Sequence, residues 1–170
     1  MSTTTMKHRF LSLLRLVTAG TLALGLSLPA TAATEHTAKV KSAIADLQAS
    51  ANKIGAPKIE GEDLFFGSAK VNGNFDIVDG LKARHGGTAT LFVRKGDAFI
   101  RVSTNVMRDG KRAVGTQLDP NGPAIAAIRK GTGYYGVVDI LGKLFDTAYE
   151  PIRSAKGDVI GIYYVGYPLE

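Results

Sequence analysis

Phe99-Ile100-Arg101-Val102-Ser103-Thr104-Asn105 reads as a β-strand with an arginine where an apolar residue is expected. At period two, Phe99, Arg101, Ser103 and Asn105 share one face, while Ile100, Val102 and Thr104 share the other. A strand of this kind sits within a sheet and directs a cation into a pocket. A buried guanidinium needs a partner, because burying an unpaired charge is costly. Its planar fork suits a carboxylate through two parallel bonds. The partner is either one of the protein's own acids, with Asp139 and Asp146 as the candidates, or a small anionic ligand.

Working outward, residues 88–94 (TATLFVR) form a second strand, joined to residues 98–105 by a hairpin turn at Lys95-Gly96-Asp97. Turn residues recur at 108–111, and 113–118 reads as briefly extended. Asp119-Pro120-Asn121-Gly122-Pro123 leads into a short helix at 124–130, with Pro123 suited to its first position. Three further strands follow at 134–141, 144–152 and 159–167, separated by Gly142-Lys143 and by residues 154–158. Two strands before an inserted helix and three after it predict an α+β fold whose five-stranded antiparallel sheet is compatible with a PAS-like arrangement.

Towards the N-terminus, residues 57–74 read as loop, with Leu64-Phe65-Phe66 as an aromatic anchor, and residues 75–81 as a short helix or extended piece. Residues 34–56 read as a long amphipathic helix. Val40, Ile44, Leu47, Ala51 and Ile54 form its apolar stripe, Thr34 or Thr37 its cap, and Gly55 with Pro57 its end. Such a stripe packs on the domain or on a partner.

Residues 1–33 read as a secretory signal peptide: Lys7, His8, Arg9 and Arg15, then an apolar run at 16–28, then small residues suited to cleavage after Ala32 or Ala33. The run is shorter than the ~20 residues that span a bilayer. The expected product is exported, periplasmic or secreted, with no membrane insertion after cleavage. Cleavage removes three of the 21 basic residues and none of the 15 acidic ones, so the net charge falls from +6 to +3. That balance, without basic runs interleaved with aromatics, gives no support for nucleic-acid binding. With no cysteine in the chain, disulfides, thiolate metal sites and cysteine nucleophiles are excluded. The 45% hydrophobic and 21% charged composition is that of an ordinary globular domain.

Several stretches carry a resemblance. They are Leu64-Phe65-Phe66-Gly67, Val71-Asn72-Gly73-Asn74-Phe75 and Gly87-Thr88-Ala89-Thr90-Leu91-Phe92, then residues 99–106, 112–119 and 131–136, then Thr147-Ala148-Tyr149-Glu150-Pro151-Ile152 and residues 159–166. In this order and spacing the sequence resembles the Cache 3/Cache 2 fusion type of extracellular sensor domain, from about Leu64 to Gly166. The resemblance implies a PAS-like sheet backed by a long N-terminal helix, residues 57–170 forming the sensor domain. It also implies a pocket for small metabolites, commonly carboxylates or amino acids. Carried over position by position, Arg101 and Ser103 match the family's R-x-S strand, Tyr134 the tyrosine before its glycine, and Thr147 and Tyr149 its T-x-Y before Glu-Pro. The sequence departs from the pattern at Phe145, where a tyrosine is expected. The helix is also short, and neither a transmembrane segment nor an output element flanks the domain.

The residues support the same face independently, since Phe145, Thr147 and Tyr149 alternate on one side of their strand. Hydroxyls beside an apolar ring suit a small polar ligand. Tyr149 is equally readable as a core tyrosine bonded to a backbone carbonyl. His36 and His85 are the histidines beyond residue 33, and neither metal-ligand spacing nor a serine nucleophile elbow occurs. Gly131-Thr132-Gly133 precedes a strand, not the helix a phosphate loop requires. No catalytic residue, metal or cofactor is therefore expected. Two functions follow: an exported module that binds a small carboxylate, or an interaction module with a filled pocket. The second would contact a membrane receptor or its own copy through the helix stripe.

Overall fold

The computed structural model describes residues 30–169, with side chains described from residue 37 onward. The expected signal peptide lies mostly outside the described residues. The first helix, α1, runs Ala30–Asn52, so it both begins and ends earlier than the stripe predicts. Thr34 and Thr37 lie within it and do not cap it. Val40, Ala43, Ile44, Leu47 and Ala51 are buried, whereas Ile54, beyond the helix end, is 45% exposed and leaves the stripe.

Residues 57–74 are not simply loop. They form a small antiparallel sheet of β1 (Pro57–Glu60), β2 (Asp63–Phe66) and β3 (Ala69–Lys70). Its alternation buries Leu64 and Phe66 and leaves Phe65 at the surface side, under the Lys58 ammonium. The undecided piece after it is helix α2, Asp76–His85, with Asp76 and Asp79 in its first turn and Lys82, Arg84 and His85 in its last. Those charges complement the helix dipole, and Val78 and Leu81, three apart, are its buried stripe.

The main sheet follows the predicted strands closely. It comprises β4 (Thr88–Lys95), β5 (Ala98–Thr104), β8 (Tyr134–Ile140), β9 (Lys143–Arg153) and β10 (Val159–Pro168). A two-residue hairpin of β6 (Met107–Arg108) and β7 (Lys111–Arg112) and helix α3 (Pro123–Arg129) are inserted between β5 and β8. The order across the sheet is β5-β4-β10-β9-β8, every pair antiparallel. In chain order of these five strands that is second, first, fifth, fourth, third, the PAS-like α+β layout. The segment expected to be extended at 113–118 instead lines the β5 edge. It makes one bridge, Ile100 to Gln117, with bonds from Arg101 N to Thr116 O (2.9 Å) and Leu118 N to Phe99 O (2.9 Å).

The two sheet faces carry separate cores. On one, Ala89, Leu91, Val93, Val102, Ala148, Tyr163 and Val165 pack beneath α1, α2 and the small sheet. The apolar stripe of α1 is consumed there, so it is not a free surface for a receptor or a second copy. On the other, Phe92, Phe99, Phe145, Tyr149, Ile162 and Tyr164 pack beneath α3 and the inserted segment, through Leu118, Ala124, Ile125 and Ile128. This second face holds the candidate site.

Candidate functional site

Arg101 reaches the second face from the middle of β5. It is 6% exposed, and its guanidinium lies over Phe92, 5.0 Å from the ring centroid. Phe92 is its cross-strand partner on β4. Nη1 donates to Thr116 Oγ1 (2.9 Å) and Gln117 O (3.2 Å), both neutral acceptors. Nε is buried without a hydrogen-bond partner among the described residues. No carboxylate among the described residues pairs with Arg101, and neither Asp139 nor Asp146 does so. Burial pulls the guanidinium below the usual arginine range, with only a partial counter-effect from the Tyr149 and Tyr164 hydroxyls.

A cavity of about 370 Å³ opens beside it. Its walls are Arg101 and Tyr149 from the sheet, Gln117 to Asp119 and Gly122 to Ala124 from the inserted segment, and the end of β8 with its turn. Pro123 at the first position of α3 fixes the start of that helix over the sheet. Leu118, Ala124 and Ile140 give an apolar wall, and Asp119 and Asp139 stand among the lining residues. Each of these carboxylates has one oxygen engaged by its own turn: Asn121 N donates to Asp119 (3.0 Å) and Gly142 N to Asp139 (2.8 Å).

Tyr149 is almost fully buried, its ring 4.9 Å from Tyr164 and 6.2 Å from Tyr134. Its hydroxyl has no hydrogen-bond partner among the described residues, contrary to a core tyrosine tied to a carbonyl. Burial pushes that hydroxyl well above the usual phenol range. Arg101 and Tyr149 are thus brought together on the cavity wall with donors unused.

The other three expected positions do not line the cavity. Ser103 is turned away by a β-bulge: Phe92 pairs with Arg101 but Leu91 pairs with Ser103, leaving Val102 as the extra residue. Alternation is reset there, so Ser103 joins the helix-side face and donates to Asn74 O (2.6 Å). Thr104 takes its place beside Arg101's face, bonded to Thr90 Oγ1 (2.6 Å). Thr147 lies on the expected face, but its hydroxyl is spent on Gly136 O (2.6 Å), tying β9 to β8. Tyr134 is half-buried and buttresses Tyr149, its hydroxyl reaching Val137 O at 3.5 Å. Leu118, Asp119, Ala124 and Ile140 are lining residues that sequence reasoning passed over. The dense turn chemistry at 119–123 was the one signal that this segment folds back over the sheet.

The sequence profile of the Cache 3/Cache 2 fusion domain matches residues 23–170. The chain belongs to this family. Cache domains are ligand-binding sensor domains, typically extracellular, rather than enzymes. Among curated proteins, none matches the chain. Among solved structures, the E. coli DcuS sensor domain is similar at 13% identity and TM-score 0.48, over 76% of this chain and 90% of that one. Methyl-accepting chemotaxis protein X is similar at 16% identity and TM-score 0.48, over 81% of this chain and 58% of that one. The ligand-binding domain of the Campylobacter jejuni chemoreceptor Tlp3, solved with L-valine, is similar at 12% identity and TM-score 0.45, over 79% and 59%. Within the described part of this Cache chain, no helix is long and apolar enough to cross a membrane.

Proposed function

We propose that this Cache domain is an exported sensor module that binds a small carboxylate-bearing metabolite, a simple carboxylate or an amino acid, in the cavity beside Arg101. The observation that carries this reading is the buried guanidinium that, among the described residues, has no carboxylate partner and an unpartnered Nε. A cation in that position is costly to leave uncompensated. An entering carboxylate supplies the missing charge and two acceptor oxygens.

The roles follow from position. Arg101 neutralises the anion, and the Tyr149 hydroxyl donates the orienting bond. Leu118, Ala124 and Ile140 exclude water. Asp119 and Asp139 offer carboxylate oxygens for an ammonium, which extends the reading to amino acids. Thr147 and Tyr134 act through others, the first by holding β8 and the second by backing Tyr149. Export rests on the basic, apolar and small-residue pattern of residues 1–33. A cavity of about 370 Å³ lies within the ~300–1,000 Å³ range of small-molecule sites, which favours a binding module over one whose pocket is filled.

A thermal-shift screen of the purified protein against monocarboxylates, dicarboxylates, amino acids and amines tests this. A ligand at about a hundred times its dissociation constant adds about 2.7 kcal/mol, several degrees in Tm. The reading expects hits among carboxylates that disappear in Arg101→Met. Hits confined to amines, or hits unaffected by Arg101→Met, contradict it.

A further inference from the structure

At the other end of α3 lies a second cleft, of about 320 Å³, which shares no lining residue with the cavity beside Arg101. It forms where the β4–β5 turn, the C-terminal end of α3 and the β9–β10 turn meet. Arg94, Arg129, Lys130 and Arg153 line it, against a single carboxylate, Asp97. None of the four cations forms an ion pair among the described residues.

Their hydrogen bonds go to backbone carbonyls instead. Arg94 Nε donates to Gly96 O (2.9 Å), and Arg129 Nη2 to Asp97 O (3.3 Å). Arg153 spans two turns, Nη1 to Gly157 O (2.9 Å) and Nη2 to Gly131 O. Both acceptor glycines have left-handed backbones, φ +89° and +75°, which is what aims their carbonyls at Arg153. A Cβ on Gly131 would stand 3.2 Å from Arg153 Nη2 and crowd it. The carbonyls fix the arginines but leave their charge uncancelled, and each fork keeps donors free. Guanidinium groups held in place before binding lose less freedom on binding.

We propose that this cleft is a second ligand site, for a phosphoryl group. One carboxylate satisfies one arginine fork, whereas three forks and an ammonium from three separate elements match the several oxygens and near-double charge of a phosphate. The same chemistry is offered by a soluble phosphoanion and by the headgroup of an anionic lipid. The site is independent of the carboxylate reading of the Arg101 cavity.

The test is calorimetric titration of the full chain with inorganic phosphate and pyrophosphate at fixed low ionic strength, beside flotation with phosphatidylcholine vesicles with and without phosphatidylglycerol. Saturable binding to at least one probe is expected, weakened about tenfold or more by Arg153→Gln and by Lys130→Gln. Lys130, exposed and without a side-chain bond among the described residues, keeps the test valid if losing the Arg153 tie unfolds the protein. Lys143→Gln, which removes the same charge from an exposed site at the start of β9, should leave binding unchanged. Binding of the free anions assigns a soluble ligand, and binding of the anionic vesicles alone assigns a lipid headgroup. No binding to either probe, or an equal loss in Lys143→Gln, overturns the proposal.

Discussion

The Arg101 guanidinium stacks on the face of its cross-strand neighbour Phe92, 5.0 Å from the ring centroid, where a buried arginine would ordinarily meet a carboxylate. A cation over an aromatic face gains about 0.5–2 kcal/mol. That offsets only part of its desolvation. Replacing such a charge by an apolar residue of similar length is neutral or stabilising in many proteins. Arg101→Met should therefore keep or raise the Tm of the ligand-free protein while abolishing carboxylate binding. Paired melting curves with and without ligand check both halves.

Tyr149→Phe separates packing from hydrogen bonding at the opposite wall. The ring contact with Tyr164 at 4.9 Å is retained, and the hydroxyl that is lost has no partner among the described residues. Stability should change by less than about 1 kcal/mol, while affinity for the carboxylate falls about tenfold. Urea denaturation and calorimetric titration on the same preparation measure the two effects.

Asn105 links α2 to the sheet through buried bonds, accepting from Ala89 N (2.7 Å) and donating to Val78 O (2.7 Å). Asn105→Ala leaves the buried Ala89 N–H without its acceptor and removes the second bond accepted by the Val78 carbonyl of α2. A stranded buried group costs about 1–3 kcal/mol, so a loss of about that size is expected in chemical denaturation.

The α1–α2 contact is pH-dependent. Arg84 Nη2 (2.8 Å) and His85 Nε2 (3.1 Å) both meet Asp46 Oδ2. The Arg84 hydrogen bond is the main cause that holds the Asp46 carboxyl below its ordinary value of 3.8. A depressed carboxyl stabilises the fold fully above its unfolded pKa and loses that contribution as pH falls through the folded value. Urea midpoints should drop below pH 3.8, and Asp46→Asn should remove this part of the drop. The pair is largely solvated, so the effect is small.

Much of this fold is legible in the sequence because the strands of the main sheet are long apolar-rich runs, buried on both faces at the centre, and are punctuated by glycine turns. Residues 88–95, 98–104 and 134–168 needed no tertiary information. The strands at 57–70 were hidden by their brevity, since a four-residue strand offers just two inward positions. At the site, Arg101 and Tyr149 were readable as an out-of-place charge and a tyrosine on a polar face. Ser103 was misplaced because the bulge at Val102 is dictated by pairing with β4, not by the local pattern. Thr147 faces as expected, but the β8 carbonyl that takes its hydroxyl comes from a residue eleven positions away. The lining residues Leu118 and Ala124 belong to a segment whose path over the sheet depends on that sheet being formed.

The most direct measurement is the affinity of a carboxylate ligand against that of its isosteric carboxamide, by calorimetry, in the native protein and in Arg101→Met. The account predicts that the carboxylate binds at least about tenfold more tightly to the native protein and that the preference vanishes with Arg101. Equal binding of acid and amide by the native protein, or a preference that survives Arg101→Met, would contradict it.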